Sequence, residues 1–209
     1  MTQTLPYNAA AAHWHDKISA LGYPDAYCMA IATLLPTPRA IHRLMDAGCG
    51  AGDFAAAYLH LRRAPDVLTL LDPAAAMLHE AAARLQGKAP ETQLLNMPLQ
   101  DVPPCPAQDL ILCAHVIDHC PDPVQAIRTL GHALARNGAM ILIVTKPHWC
   151  TWITRRLWRH RSYTPDQILQ AIVAAGLICR RDMGFAAGPP GRTSHAYLIS
   201  HTQPELLLC

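Results

Sequence analysis

Three glycines stand at alternate positions behind an acid in Asp46-Ala-Gly48-Cys-Gly50-Ala-Gly52. Glycine lets a backbone turn tightly and lets a ligand approach it closely. The short apolar run before Asp46 reads as a strand, and residues 53–63 read as a helix. A strand, a glycine turn and a helix in that order place free amide donors at the helix N-terminus. A dinucleotide site would put a third glycine where Asp53 stands. A carboxylate there repels a diphosphate, which argues against a nicotinamide-dependent oxidoreductase. Asp46, at the strand's end, suits instead a ligand carrying an ammonium and a sulfonium. Asp72 closes the next apolar run, VLTLL, twenty residues beyond Gly52. An acid at that place can accept both ribose hydroxyls of a nucleoside. Asp72-Pro73 also has the pattern of a helix start, and the two roles are compatible.

The elements that must hold these residues follow from punctuation and apolar runs. Residues 8–35 read as one or two helices that end before Pro36 and Pro38. Strands are expected at residues 43–47, 67–71, 92–96, 109–114, 139–145, 177–183 and 195–201. Helices are expected at 53–63, 74–86, 123–136 and 165–175. Pro123 near one start and Asn137-Gly138 at its end give the expected asymmetry. Thr164 and Pro165 open the last helix, and Gly176 closes it. Gly188-Pro-Pro-Gly191 reads as the turn between the last two strands. Alternating strands and helices imply a parallel sheet covered on both faces. The last two strands are too closely joined for a crossover, so one runs antiparallel.

With these elements in place, the chain resembles a class I S-adenosylmethionine-dependent methyltransferase of the small-molecule type. The resemblance rests on residues 46–52, on Leu71-Asp72-Pro73-Ala-Ala-Ala-Met77-Leu78 and on the run from Asp109 through His115-Val-Ile-Asp118-His119-Cys-Pro-Asp122-Pro123. Asn137-Gly138, Tyr163-Thr-Pro-Asp-Gln-Ile-Leu and Ala175-Gly176-Leu complete it over roughly residues 40–185. It implies a Rossmann-like, doubly wound seven-stranded α/β sheet of order 3-2-1-4-5-7-6. Strand seven would be antiparallel, with helices on both faces. It implies S-adenosylmethionine as cofactor. Gly48, Gly50 and Gly52 would line its methionine part, Asp46 would help to hold the amino group, and Asp72 with Pro73 would meet the ribose. Asn96 and the Met97 amide are the adenine candidates, with Asp101 as fallback, since the acid usual at that place is missing.

His115 ends the fourth strand, where ligands sit in open α/β sheets. It is a candidate for contact with the cofactor and for catalysis, beside His148 and Tyr163. His119 and Asp122 read chiefly as the turn that begins the next helix. Trp149, Trp152 and Arg156 lie in an arginine- and tryptophan-rich stretch, 146–164, expected to act as a lid over the acceptor. The same composition would suit an anionic lipid surface. Trp14 is a further substrate-site candidate, within an N-terminal helical flap at 1–38 that also holds Tyr7, His13 and His15. Arg192, Ser194 and His195 are weaker candidates for the same pocket.

Composition sets outer limits. The 209 residues, 51% of them apolar and 15% charged, suit one domain, 1–209. A net charge of +2 gives no whole-chain case for nucleic-acid binding. The eight cysteines show no Cys-x-x-Cys pair, and no His-Glu-x-x-His occurs, so no metal is expected. No run reaches the ~18–20 apolar residues of a membrane span, and the N-terminus lacks the pattern of a signal peptide. The expected location is cytoplasmic, the expected partner a small-molecule substrate, and a homodimer is compatible with all of this. The competing reading is a non-catalytic S-adenosylmethionine-binding regulatory partner, which would keep residues 46–52 and 72 without an acceptor pocket.

Overall fold

Apolar residues alternate in direction along the inner strands, and that alternation divides the core in two. In the computed structural model, which describes residues 5–37, 39–148 and 161–202, seven strands form one sheet. They are β1 (Arg43–Ala47), β2 (Val67–Leu71), β3 (Glu91–Leu95), β4 (Gln108–Ala114), β5 (Leu134–Thr145), β6 (Leu177–Gly184) and β7 (Ser194–His201). Their order is β3-β2-β1-β4-β5-β7-β6, as expected. The first five run parallel, and β7 is antiparallel to both β5 and β6.

The helices are α1 (Leu5–Ala20), α2 (Tyr23–Leu34), α3 (Asp53–Leu61), α4 (Ala75–Arg84), α5 (Pro123–Ala133), α6 (Pro165–Ala174) and the short α7 (Gly188–Thr193). Leu44, Leu110, Leu112, Ile141 and Ile143 face one way and pack with residues of α1 to α4. Met45, Ile111, Cys113, Met140 and Leu142 face the other way and pack with α5 and α6. Period-two side chains on strands covered on both faces give this result directly. No helix among the described residues is long and apolar enough to cross a membrane.

Local chemistry sets several boundaries. Asp122 accepts from the Gln125 amide at 3.0 Å and caps α5, and Pro123 follows at a position that needs no amide. Thr164 and Gln167 form a reciprocal capping box at the start of α6.

Two expectations need correction. The fifth helix stops at Ala133, not at residue 136, and β5 already begins at Leu134. Leu134 is buried and pairs with Gln108, after which the register jumps to Leu110 against Ala139. Arg136, Asn137 and Gly138 therefore lie in an irregular bulged stretch and do not cap a helix. Gly188-Pro-Pro-Gly191 is likewise no simple turn but the start of α7. Its prolines occupy the first helical turn, where a missing amide costs nothing.

Candidate active site

The glycine loop joins β1 to α3 at the C-terminal edge of the sheet. Gly48, Gly50 and Gly52 all have positive φ, at 71°, 52° and 79°. The loop is tied down from beneath: the Gly48 and Cys49 amides both donate to the Leu71 carbonyl, at 2.7 and 2.9 Å. Asp72 is the second tie. Its Oδ2 accepts from the Gly50 amide at 2.9 Å and its Oδ1 from the Ala74 amide at 2.8 Å. Each carboxylate oxygen has further acceptor capacity, so these bonds orient Asp72 and leave it able to accept hydroxyls.

Asp46, at the end of β1, is buried and its Oδ2 accepts from the Ala55 amide at 3.0 Å. That bond satisfies an otherwise orphan donor in the first turn of α3. Burial raises its carboxyl from 3.8 to about 7, the Ala55 bond opposes this, and the charges of Asp53 and Asp72 add to the rise. A raised carboxyl keeps its proton in the folded state while the unfolded chain loses it. Asp46 therefore destabilises the ligand-free protein increasingly as pH climbs from 3.8 to about 7. Between pH 5 and 8 the wild type should lose about 2–3 kcal/mol relative to Asp46→Asn, whose amide oxygen still accepts from Ala55. Urea unfolding of both proteins at the two pH values measures this. Parallel pH profiles would contradict it.

Asp53, the first residue of α3, is also buried. Arg84 on α4 donates to its Oδ1, and His15 Nδ1 donates to the same oxygen at 2.6 Å. Asp118 is the fourth buried acid. The edge of the sheet therefore holds Asp46, Asp72 and Asp118 as well as the paired Asp53. A cationic ligand fits such a rim, and a diphosphate does not.

Helix α1 crosses above the loop. Trp14 Nε1 lies 3.5 Å from the place a Cβ on Gly50 would take. The Lys17 ammonium lies 5.3 Å from the Trp14 ring centre. Tyr7 Oη and His119 Nε2 share a hydrogen bond of 3.0 Å, and their rings meet edge to face. Burial, then the charges of Asp72 and Asp118, pushes the Tyr7 phenol far up. Asn8 Oδ1 accepts from the Ala76 amide at the start of α4. Helix α1 thus packs against the glycine loop through Trp14 and against the start of α4 through Asn8. His119 pairs with that helix, whereas Asp122 alone caps α5.

His115 ends β4 in the left-handed region, with φ 59°, alone in this among the described non-glycine residues. Its amide donates to the Ile143 carbonyl at 2.8 Å. Its Nδ1 is 3.1 Å from Thr145 Oγ1, and its Nε2 is 3.5 Å from Ser194 Oγ. The Tyr23 ring of α2 meets it edge to face. A positive φ is uncommon away from glycine, and these contacts hold the histidine in it at the strand edge.

The remaining candidates are less well placed. Asn96 Nδ2 donates to the Asp72 carbonyl at 3.0 Å, which leaves its amide oxygen for a ligand. Met97 packs against the second half of the core, while Pro73 is exposed at the rim. His148 is half-buried beyond the end of β5. The Tyr163 amide donates to the Thr145 carbonyl at 2.9 Å, and burial raises its phenol. Tyr163 is therefore a neutral phenol at neutral pH and poorly suited to act as a base. Trp149, Trp152 and Arg156 lie outside the described residues.

Sequence reasoning passed over Thr145, Asp118, Ser194 and Tyr23 as a group. They converge on His115 from β5, the turn after β4, β7 and α2, and no spacing in the sequence signals that.

Residues 45–140 match the family model described as a methyltransferase domain. The chain has the fold of the class I methyltransferases. The matched stretch holds the glycine loop, Asp72, His115 and Asp118. Solved methyltransferases share the fold across most of this domain and beyond it. Magnesium protoporphyrin IX methyltransferase from Synechocystis PCC 6803, with bound S-adenosylmethionine, superposes with a TM-score of 0.66 at 16% identity, over 87% of this chain and 80% of its own. The N-methyltransferase NodS from Bradyrhizobium japonicum WM9, in complex with S-adenosylhomocysteine, gives 0.69 at 17% identity, over 86% and 87%. The 1,6-didemethyltoxoflavin-N1-methyltransferase of Burkholderia thailandensis gives 0.67 at 14% identity, over 93% and 85%. No curated protein matches the sequence.

Proposed function

We propose that the protein transfers the methyl group of S-adenosylmethionine to a small-molecule acceptor. The observation that carries this reading is the acid-lined rim around a positive-φ glycine loop. Asp46 and Asp72 flank that loop, and Asp118 lies across the next strand. Bound S-adenosylmethionine would supply an electrophilic methyl carbon on a sulfonium. The loop would take its methionine part, Asp72 the ribose, and Asn96 with the Met97 amide the adenine. Trp14 and Tyr7 would close over it and exclude water. Protein groups then contribute orientation and electrostatics.

The acceptor would meet the methyl carbon near His115. The stretch 146–164 leaves β5 at the same sheet edge, and its arginines and tryptophans suit a planar or anionic molecule. Replacing Trp152 or Arg156 with alanine should raise the acceptor KM or lower kcat, with cofactor affinity within about threefold of wild type. Loss of cofactor binding in a folded variant would assign the segment to the cofactor side instead. A screen for S-adenosylhomocysteine release over phenols, amines, thiols and carboxylates tests the reaction itself. Release with one acceptor class is the expected result. Cofactor binding with no release from any class would favour the regulatory reading.

A further inference from the structure

The corner around His115 has a consistent hydrogen-bond direction. Thr145 has one hydroxyl proton, and its Oγ1 lies 2.5 Å from Asp118 Oδ2. A carboxylate only accepts, so that proton points at Asp118. The Thr145 amide donates to both Asp118 oxygens, at 3.2 and 3.1 Å, which fixes the carboxylate in place. Thr145 Oγ1 can then only accept from His115 Nδ1, 3.1 Å away. His115 Nδ1 must carry a proton, and in the neutral ring Nε2 is the basic nitrogen. Among the described residues, Nε2 has only the distant Ser194 hydroxyl, at 3.5 Å, against it. The Thr193 hydroxyl, next to Ser194, is committed to the Pro189 carbonyl at 2.8 Å. The His115 side chain is 23% exposed, so a proton taken up there has a way out to water.

We infer that His115 Nε2 is the general base for a hydroxyl acceptor, with Thr145 and Asp118 together setting its tautomer from the Nδ1 side. The inference rests on the methyltransferase reading and names its acceptor class. An alcohol or phenol must lose a proton as it attacks, whereas a neutral amine attacks with its free lone pair. The acceptor O–H bond breaks, and its proton goes to Nε2. The oxygen's electron pair forms the bond to the methyl carbon. The sulfur–methyl bond breaks, and its electron pair stays on sulfur, leaving neutral S-adenosylhomocysteine. The imidazolium then returns its proton to solvent. Asp118 and Thr145 touch no reacting atom and are positioning residues.

Long-range nitrogen–proton NMR on the full chain labelled with nitrogen-15 reads the tautomer without any ligand. His115→Gln assigns the signal. In wild type and Thr145→Ser, neutral His115 should carry its proton on Nδ1. Asp118 Oδ2 also lies 3.5 Å from Nδ1, so the double variant Thr145→Val with Asp118→Leu is needed to remove both acceptors, and in it the ring should shift to the Nε2–H form. An Nε2–H ring in wild type, or an unchanged Nδ1–H ring in the double variant, overturns the arrangement. Should the double variant fail to fold, the wild-type and Thr145→Ser spectra alone decide. With a hydroxyl acceptor from the release screen, His115→Gln should cut kcat by at least about 100-fold with acceptor KM within about threefold. Unchanged kcat, or turnover confined to amines or thiols, overturns the base role. Failure of wild type to bind S-adenosylmethionine would overturn the methyltransferase reading and would leave the tautomer result standing.

Discussion

Gly48→Ala should lower the melting temperature by about 5–15 °C and abolish measurable cofactor binding. The residue has φ 71°, and a Cβ there would lie 2.1 Å from Val116 Cγ2. The left-handed conformation alone costs roughly 1–2 kcal/mol. Forcing Val116 aside adds about 1–3 kcal/mol, because Val116 sits between His115 and a tightly wound turn. A total of about 2–5 kcal/mol, at roughly 2–4 °C per kcal/mol for a chain of this length, centres on the stated shift. Gly87→Ala is the matched control. Its φ is also 71°, but nothing lies within 4 Å of the added atom. It should show the conformational cost alone, about 1–2 kcal/mol, with cofactor affinity intact. Equal effects of the two substitutions in calorimetric melts would show that the loop has room that the geometry denies it.

Asp72→Ala should weaken S-adenosylmethionine binding by about 1.5–3 kcal/mol, a loss of roughly 10- to 150-fold. Two effects combine here. The ribose hydroxyls lose a charged acceptor, and the Gly50 and Ala74 amides lose the oxygens that hold them. The binding constant, measured by titration calorimetry on variant protein whose melting is still cooperative, separates function from structure. An unchanged affinity would leave Asp72 as a tie between the glycine loop and α4, with no ligand role.

The sheet was legible because the inner strands are short apolar runs, some closed by an acid, proline or glycine, as in VLTLL before Asp72-Pro73. Order and direction came with the family resemblance and with the short link between the last two strands. Boundaries failed where one signal fits two structures. Asn137-Gly138 ends a helix as readily as it fills a bulge, and tertiary burial of Leu134 decided between them. The backbone half of the site was legible for a related reason: glycines and strand-end acids act where the chain itself puts them. Side-chain pairs formed across the fold were not. Tyr7 meets His119 over 112 residues of sequence, and Arg84 meets Asp53 over 31. Those contacts depend on how α1 and α4 pack, which no local pattern encodes. Asp53 shows the difference. Its charge was readable as hostile to a diphosphate, but its ion pair with Arg84 and its hydrogen bond from His15 were not.

The central claim is that the acid-lined rim and the glycine loop hold S-adenosylmethionine, and titration calorimetry of the full chain tests it most directly. S-adenosylmethionine and S-adenosylhomocysteine should each bind at one site with micromolar affinity, about −7 to −9 kcal/mol, while NAD should give no saturable heat. No saturation by either adenosyl ligand at millimolar concentration, or tight binding of NAD in their place, would contradict the account.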